Sequence, residues 1–389
     1  MLNKSQVVCA ISVLMASGSA YAQSKFDIKI TGDYYLEAGY INQDNDSGLR
    51  STEVRNRMRF NIIPSAKADN GLEYGARMRI RASNGDRTMD ADRSYIFLQG
   101  SFGRFDLGTR NSWHDDTFGS FSRPVDFHFL GIYDAAVTWA TSNNASAGNT
   151  KLDVSTFAYM PAATSTTQGA ALGDVATKVM YISPKFSGFQ AALALTPHAT
   201  SSATDVNRLT GPTGAGAGTL QNVWEAGVNY SGEFSGVGVR FNAGYLGGKY
   251  ENTGAIAYED LNGFTGGAQV GYAGFVLGGG YVGYGKSGLA KNAAFKDNYE
   301  AWNVGLQYTT GAFVLGAGYT YGQDAGDVRV AGKREQDYYT AGVAYQMAPG
   351  LRLGLEYSFI EAKNKDVTAL VAERKVESNV VIARTVLVF

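Results

Sequence analysis

From residue 26 onward, apolar and polar residues take turns along most of the chain. Ile28, Ile30, Tyr34, Leu36, Ala38 and Tyr40 fall on one face, and Lys29, Thr31, Asp33, Tyr35 and Glu37 on the other. Phe313, Leu315, Ala317, Tyr319 and Tyr321 oppose Val314, Gly316, Gly318 and Thr320. Leu351, Leu353, Leu355, Tyr357 and Phe359 oppose Arg352, Gly354, Glu356 and Ser358. A period of two marks strands with one apolar face. The runs reach about ten residues, longer than the five or six usual in globular strands and close to the ~9–11 that cross a bilayer at a tilt. The pattern predicts sixteen strands, the first near 26–41 and the last near 375–389.

The connections alternate between two kinds. One set is short: 100–103, 183–188, 231–236, 273–274, 309–312 and 348–350. The other is longer and polar: 42–49, 84–89, 111–174, 197–220, 248–260, 286–297, 323–334 and 363–373. Tight turns at one end and long loops at the other are the layout of an all-β transmembrane antiparallel barrel of the outer membrane. An even strand count puts both termini on the periplasmic side. A soluble secreted β-sandwich or solenoid is the alternative. Tyrosines near the ends of apolar faces, such as Tyr339 and Tyr345 flanking Ala341 and Val343, argue against it, because interfacial aromatic girdles account for that placement.

Composition adds to this picture. Among 389 residues, 49 are Gly, 24 Tyr and 20 Phe, and the formal charge is -1, so no basic excess points to nucleic acid. The N-terminus reads as a cleaved targeting segment. Lys4 opens it, Val7 to Met15 is apolar, and Ala20-Tyr21-Ala22 is an A-x-A cleavage site. The expected domains are a signal peptide, 1–22, and one barrel domain, 23–389. Cys9 falls in the leader, so the mature chain has no thiol chemistry. No other stretch approaches the ~18 consecutive apolar residues of a spanning helix.

Two stretches carry the chemistry. "VRNRMRF" (54–60) and "ARMRIRA" (76–82) put arginine at every second position. If Val54, Met58, Phe60, Ala76, Met78 and Ile80 face lipid, then Arg55, Arg57, Arg59, Arg77, Arg79 and Arg81 face the lumen. The reverse register would place six arginines in hydrocarbon, at about 2–4 kcal/mol each near the midplane. Arg93 faces in on the next strand, with Ser94, Ile96 and Leu98 outward. The 111–174 connection is by far the longest, and a loop of that size implies a function. Folded into the lumen, it would present Asp115, Asp116 and Asp126. Arginines opposite carboxylates create a transverse field that favours polar solutes and sets ion preference. The same arginines could instead brace the wall through salt bridges.

Several segments resemble the Gram-negative general porin family across essentially the whole mature chain. These are "FDIKITGDYYLEAGY" (26–40), "FGRFDLGTRN" (102–111), "YISPKFSGFQAAL" (181–193) and the terminal "VVIARTVLVF" ending in Phe389. The resemblance implies a sixteen-stranded barrel, usually trimeric, whose third external loop enters the pore. It implies a passive channel for ions and small hydrophilic solutes, seated in outer-membrane lipid, with no cofactor, metal or catalytic site. By its pattern Arg57 and Arg93 match the constriction wall most closely, with Lys178 a further candidate, and "DDTFGS" (115–120) loosely matches the acidic side. An adhesin or receptor barrel and a barrel hydrolase are the alternatives. His114 beside Ser112 and Asp115 is the only hint of hydrolysis, and no activated-serine motif accompanies it.

Overall fold

The computed structural model describes residues 26–44, 49–82, 89–114, 116–117, 139, 175–199, 220–252, 255–325, 328, 331–364 and 374–389. The segment expected to be a signal peptide lies outside them. Sixteen antiparallel strands close into one barrel. They are β1 (Asp27–Gln43), β2 (Thr52–Lys67), β3 (Glu73–Ala82), β4 (Met89–Gly100), β5 (Gly103–Arg110), β6 (Ala176–Ile182), β7 (Phe189–His198) and β8 (Leu220–Phe234). There follow β9 (Val237–Tyr250), β10 (Leu261–Tyr272), β11 (Phe275–Gly285), β12 (Tyr299–Thr310), β13 (Phe313–Asp324), β14 (Arg334–Ala348), β15 (Leu351–Asn364) and β16 (Arg374–Val388).

Each strand pairs with its neighbours in sequence, and β1 closes on β16 from Asp33↔Val388 to Gln43↔Ser378. Phe389 extends that seam by exchanging two backbone hydrogen bonds with Gly32, at 2.7 and 3.0 Å. Its ring packs edge-on against Phe60 at 5.6 Å.

The hairpins are tighter than the composition of their turns suggests. β8 and β9 continue to Phe234 and from Val237, so only Ser235 and Gly236 form the turn. Both have positive φ (51° and 81°), the two-residue geometry whose twist matches the flanking strands. β2 runs on past Pro64 to Lys67, and its pairing with β3 passes from Ile62↔Met78 to Ser65↔Gly75. Proline has no N–H for the ladder there.

The outside is apolar. Ile30, Val54, Leu193, Val270, Val304 and Leu355 are all exposed, which in lipid is burial. Aromatic rings form rows on that surface. Trp302, Tyr319, Tyr339 and Phe359 succeed one another at centroid distances of 5.1, 4.8 and 6.2 Å. Nearer the short turns, Phe275–Tyr308 and Phe313–Tyr345 pair at 4.3 and 5.0 Å. Two such rows are the interfacial girdles of a barrel in a bilayer.

The inside is not polar throughout. At the long-loop end of β8 to β12, Leu246, Tyr250, Leu261, Val282, Tyr284 and Tyr299 point inward and form a packed, buried cluster with Ala199. Their apolar side chains bury one another there, out of water.

Val304 lies mid-strand on the outer face of β12. Val304→Arg is expected to destabilise the barrel in vesicles by about 2–4 kcal/mol, read from urea unfolding, while Val304→Leu stays close to the parent.

Candidate functional site

The inward face of β1 to β4 carries the basic residues. Arg55 is paired with Glu37, which is fully buried and also takes Arg384 of β16 and the Trp139 indole N–H, the last at 3.3 Å. Asp33 receives Arg59 at 2.8 Å and Arg57 at 3.4 Å. The Arg57 guanidinium also lies over the Tyr35 ring, 4.6 Å from its centre.

Two pairs of arginines stand directly opposite one another, Arg59 with Arg81 and Arg79 with Arg93. Like charges in that position repel. The chain relieves this with an irregularity in β4. The ladder steps from Arg79↔Arg93 to Ile80↔Ala91, leaving Asp92 as the extra residue. Such a bulge re-aims a side chain. Asp92 becomes buried and receives Arg79 through two hydrogen bonds (2.7 and 2.5 Å), with Arg93 at 3.1 Å and Arg81 at 3.4 Å. Arg81 also meets Asp90 at 3.1 Å.

Arg77 is bound differently. Its Nε and Nη2 donate to the Asn61 side-chain oxygen at 3.0 and 2.8 Å, and its Nη1 reaches the Tyr95 hydroxyl at 3.4 Å. Among the described residues its partners are neutral.

Of the three loop aspartates, Asp115 and Asp126 lie outside the described residues. Asp116 is paired with Arg110 at the end of β5. Arg110 also holds Asp106, which in turn receives Arg104 at 2.7 Å. Arg110 and Asp106 were not singled out from the sequence, although Arg104, Asp106 and Arg110 share one face of β5. Lys178, expected as a further pore residue, is buried against Glu225 of β8 at 3.5 Å and faces no open space. Its place on β6 is inward, and the Glu225 that holds it also takes the Trp113 backbone N–H.

The described residues that follow β5 lie against the inner wall of the barrel. Residues 113–114 and 116–117 form a helical turn, closed by the Thr117 hydroxyl donating to the Trp113 carbonyl at 2.7 Å. The Trp113 N–H donates to Glu225 at 2.9 Å, and His114 Nδ1 lies 2.8 Å from Thr265 Oγ1 on β10. Burial pushes the His114 pKa below its ordinary value, with the Glu225 carboxylate pulling the other way. Trp139 touches the opposite wall at Gly39 and Glu37 of β1. A cavity of about 550 Å³ remains beside this turn, lined by Arg77, Tyr95, Arg104, Arg110, Asp116 and Lys185 among others. Among the described residues no cluster of side chains could hold a metal ion.

A closed barrel with an apolar, aromatic-banded exterior and a charged interior is a transmembrane β-barrel. The chain belongs to the Gram-negative porin family, whose model matches residues 9–365. It is an outer-membrane porin channel of a bacterium. Among solved structures it is similar to an anion-selective porin from Comamonas acidovorans, at 14% identity and a TM-score of 0.60, over 94% of this chain and 100% of that one. It is also similar to OmpT, an outer membrane protein of Vibrio cholerae in trimer form, at 13% identity and a TM-score of 0.57, over 94% and 99%. A mutant of Rh. blastica porin gives 16% identity and a TM-score of 0.56, over 93% and 100%. At these identities the likeness concerns the fold. Comparison with curated proteins returns no match.

Asp92→Asn leaves three guanidiniums around a neutral amide. The expected loss is about 3–5 kcal/mol, as for breaking a buried pair, measured by urea unfolding. Arg81→Ala, at a half-exposed site, is expected to cost under about 1 kcal/mol.

Proposed function

We propose that the protein is a passive diffusion channel for ions and small hydrophilic solutes, with its selectivity set at a charged constriction. Arg55, Arg57, Arg59, Arg77, Arg79, Arg81 and Arg93 form its basic side. Asp115, Asp116 and Asp126 form the acidic side, on the connection that follows β5. The protein works as a homotrimer, like the Vibrio cholerae relative in its trimer form, after a signal peptide is removed at Ala22. It performs no catalysis.

One observation carries the electrostatic part of this reading. Most of the wall arginines are tied to wall carboxylates, so their charge is largely spent in bracing. Arg77 is held by an amide and a phenol, and it borders the cavity beside Asp116. A guanidinium fixed by neutral groups keeps its charge for a passing solute, and arginine stays protonated at any working pH. The bracing and selecting roles therefore divide among neighbouring residues of one row. The anion-selective relative from Comamonas acidovorans agrees with a basic wall acting on solutes.

Purified protein added to a planar bilayer should give discrete conductance steps, and an unchanged membrane current would sink the channel reading. In a salt gradient, Arg77→Glu should move the reversal potential towards cation preference. Arg55→Gln, which alters a braced position, should move it less. Unboiled samples on SDS gels should run as a trimer that converts to monomer on heating.

A further inference from the structure

The strands β8, β9 and β10 place three small residues in one lateral row on the inner wall. Gly227 pairs with Gly244, and Gly244 with Thr265. Gly227 follows Glu225 on the same inward face of β8. The chain leaving β5 lies on this row. A Cβ on Gly227 would fall 2.5 Å from Cδ1 and Nε1 of Trp113, and one on Gly244 would overlap the imidazole of His114. A methyl group therefore fits at neither position while the two rings stay where they are.

The row supplies bonds as well as space. Thr265 Oγ1 meets His114 Nδ1 at 2.8 Å, and Glu225 accepts the Trp113 N–H at 2.9 Å. Trp113, His114, Glu225 and Thr265 are all buried, so the contact is dry. Trp113 further packs with Met180, Ala192 and Ala194 of the adjoining strands. Glycine inside a strand weakens it, and its recurrence often marks a close approach by another part of the chain. Here that approach is an indole and an imidazole entering from the lumen side.

We propose that Gly227 and Gly244 form a notch that seats Trp113 and His114, and that the depth of this seat sets how far the chain after β5 stands into the lumen. Gly227, Gly244 and Thr265 are then positioning residues for permeation, although none of them carries a charge or lines the arginine wall. Filling the notch lifts the turn from β8–β10 and moves Asp116 relative to Arg110 and Arg77, which changes both the free cross-section and the local field. The proposal rests on the channel reading.

The test compares parent, Gly244→Ala, His114→Ala and the double variant, by single-channel conductance and by liposome swelling with sugars of increasing size. Heat-modifiable migration verifies that each barrel is folded. Gly244→Ala should shift the conductance level and the size cut-off. In the His114→Ala background the added methyl finds the imidazole gone, so the double variant should match His114→Ala alone. A Gly244→Ala effect of equal size in both backgrounds, or a Gly244→Ala channel identical to the parent, would overturn the notch while leaving the channel intact. A parent that conducts nothing overturns both. If Gly244→Ala does not fold, Thr265→Val removes only the hydrogen bond to His114. A shifted conductance level then supports the notch, and a parent-like level overturns it.

Discussion

Hydrocarbon offers a strand's backbone no hydrogen bonds, so every N–H and C=O at membrane depth must find its partner within the protein. The closed ladder from β1 round to β16 meets that demand, and the rest of the structure follows from it. Closure gives each strand one face in lipid and one face inward. The outer face can then be apolar across the hydrocarbon, with tyrosine, tryptophan and phenylalanine kept for the interfaces. At that depth charge is kept to the inner face, where the arginines of β2 and β3 point, whereas nearer the long loops the outer tyrosines Tyr281, Tyr319 and Tyr321 bond Glu300, Asp337 and Glu335.

Crowding guanidiniums on adjacent strands raises a second constraint, because they sit opposite one another. The wall meets it by interleaving carboxylates. Asp33, Glu37 and Asp92 each serve two or three arginines, and the extra residue in β4 is what turns Asp92 inward. The far side of the barrel is built on another principle. There the inward faces of β8 to β12 are apolar at the long-loop end and carry glycine, Thr265 and amides such as Asn242 and Gln269 further along, and they receive Trp113 and His114. The lumen is thus electrostatically one-sided, with a braced, basic wall facing a packed one.

Much of this was legible in the sequence. Period-two alternation located all sixteen strands, and the cost of arginine in lipid fixed which way the two arginine rows face. The partners of those arginines were not legible. Asp92 acts through a register shift between two strands, and no local pattern records a shift. Glu37 and Arg384 meet only because the first and last strands are neighbours. The inward cluster around Leu246 and Tyr284 was missed for a related reason. Alternation separates two faces of a strand, but it does not say whether the inner face meets water or another piece of protein. Lys178 shows the same limit, since a lysine with an inward register can still be covered. The signal that could have found the seat of Trp113 was present as glycine at 227 and 244, each inside an otherwise regular strand.

The seam between β1 and β16 has a consequence for how the molecule forms. Residues 33–43 find partners at 378–388, so the contact that completes the ladder joins opposite ends of the sequence. Contacts of such separation are slow to form, since a very long loop must close before any gain is returned. Until then two strand edges stay unpaired, and open edges invite pairing with other chains. The strand β16 is thus the one whose docking on β1 turns an aggregation-prone open sheet into a closed barrel. Phe389, bonded to Gly32 and packed on Phe60, is the point at which the ring of strands locks.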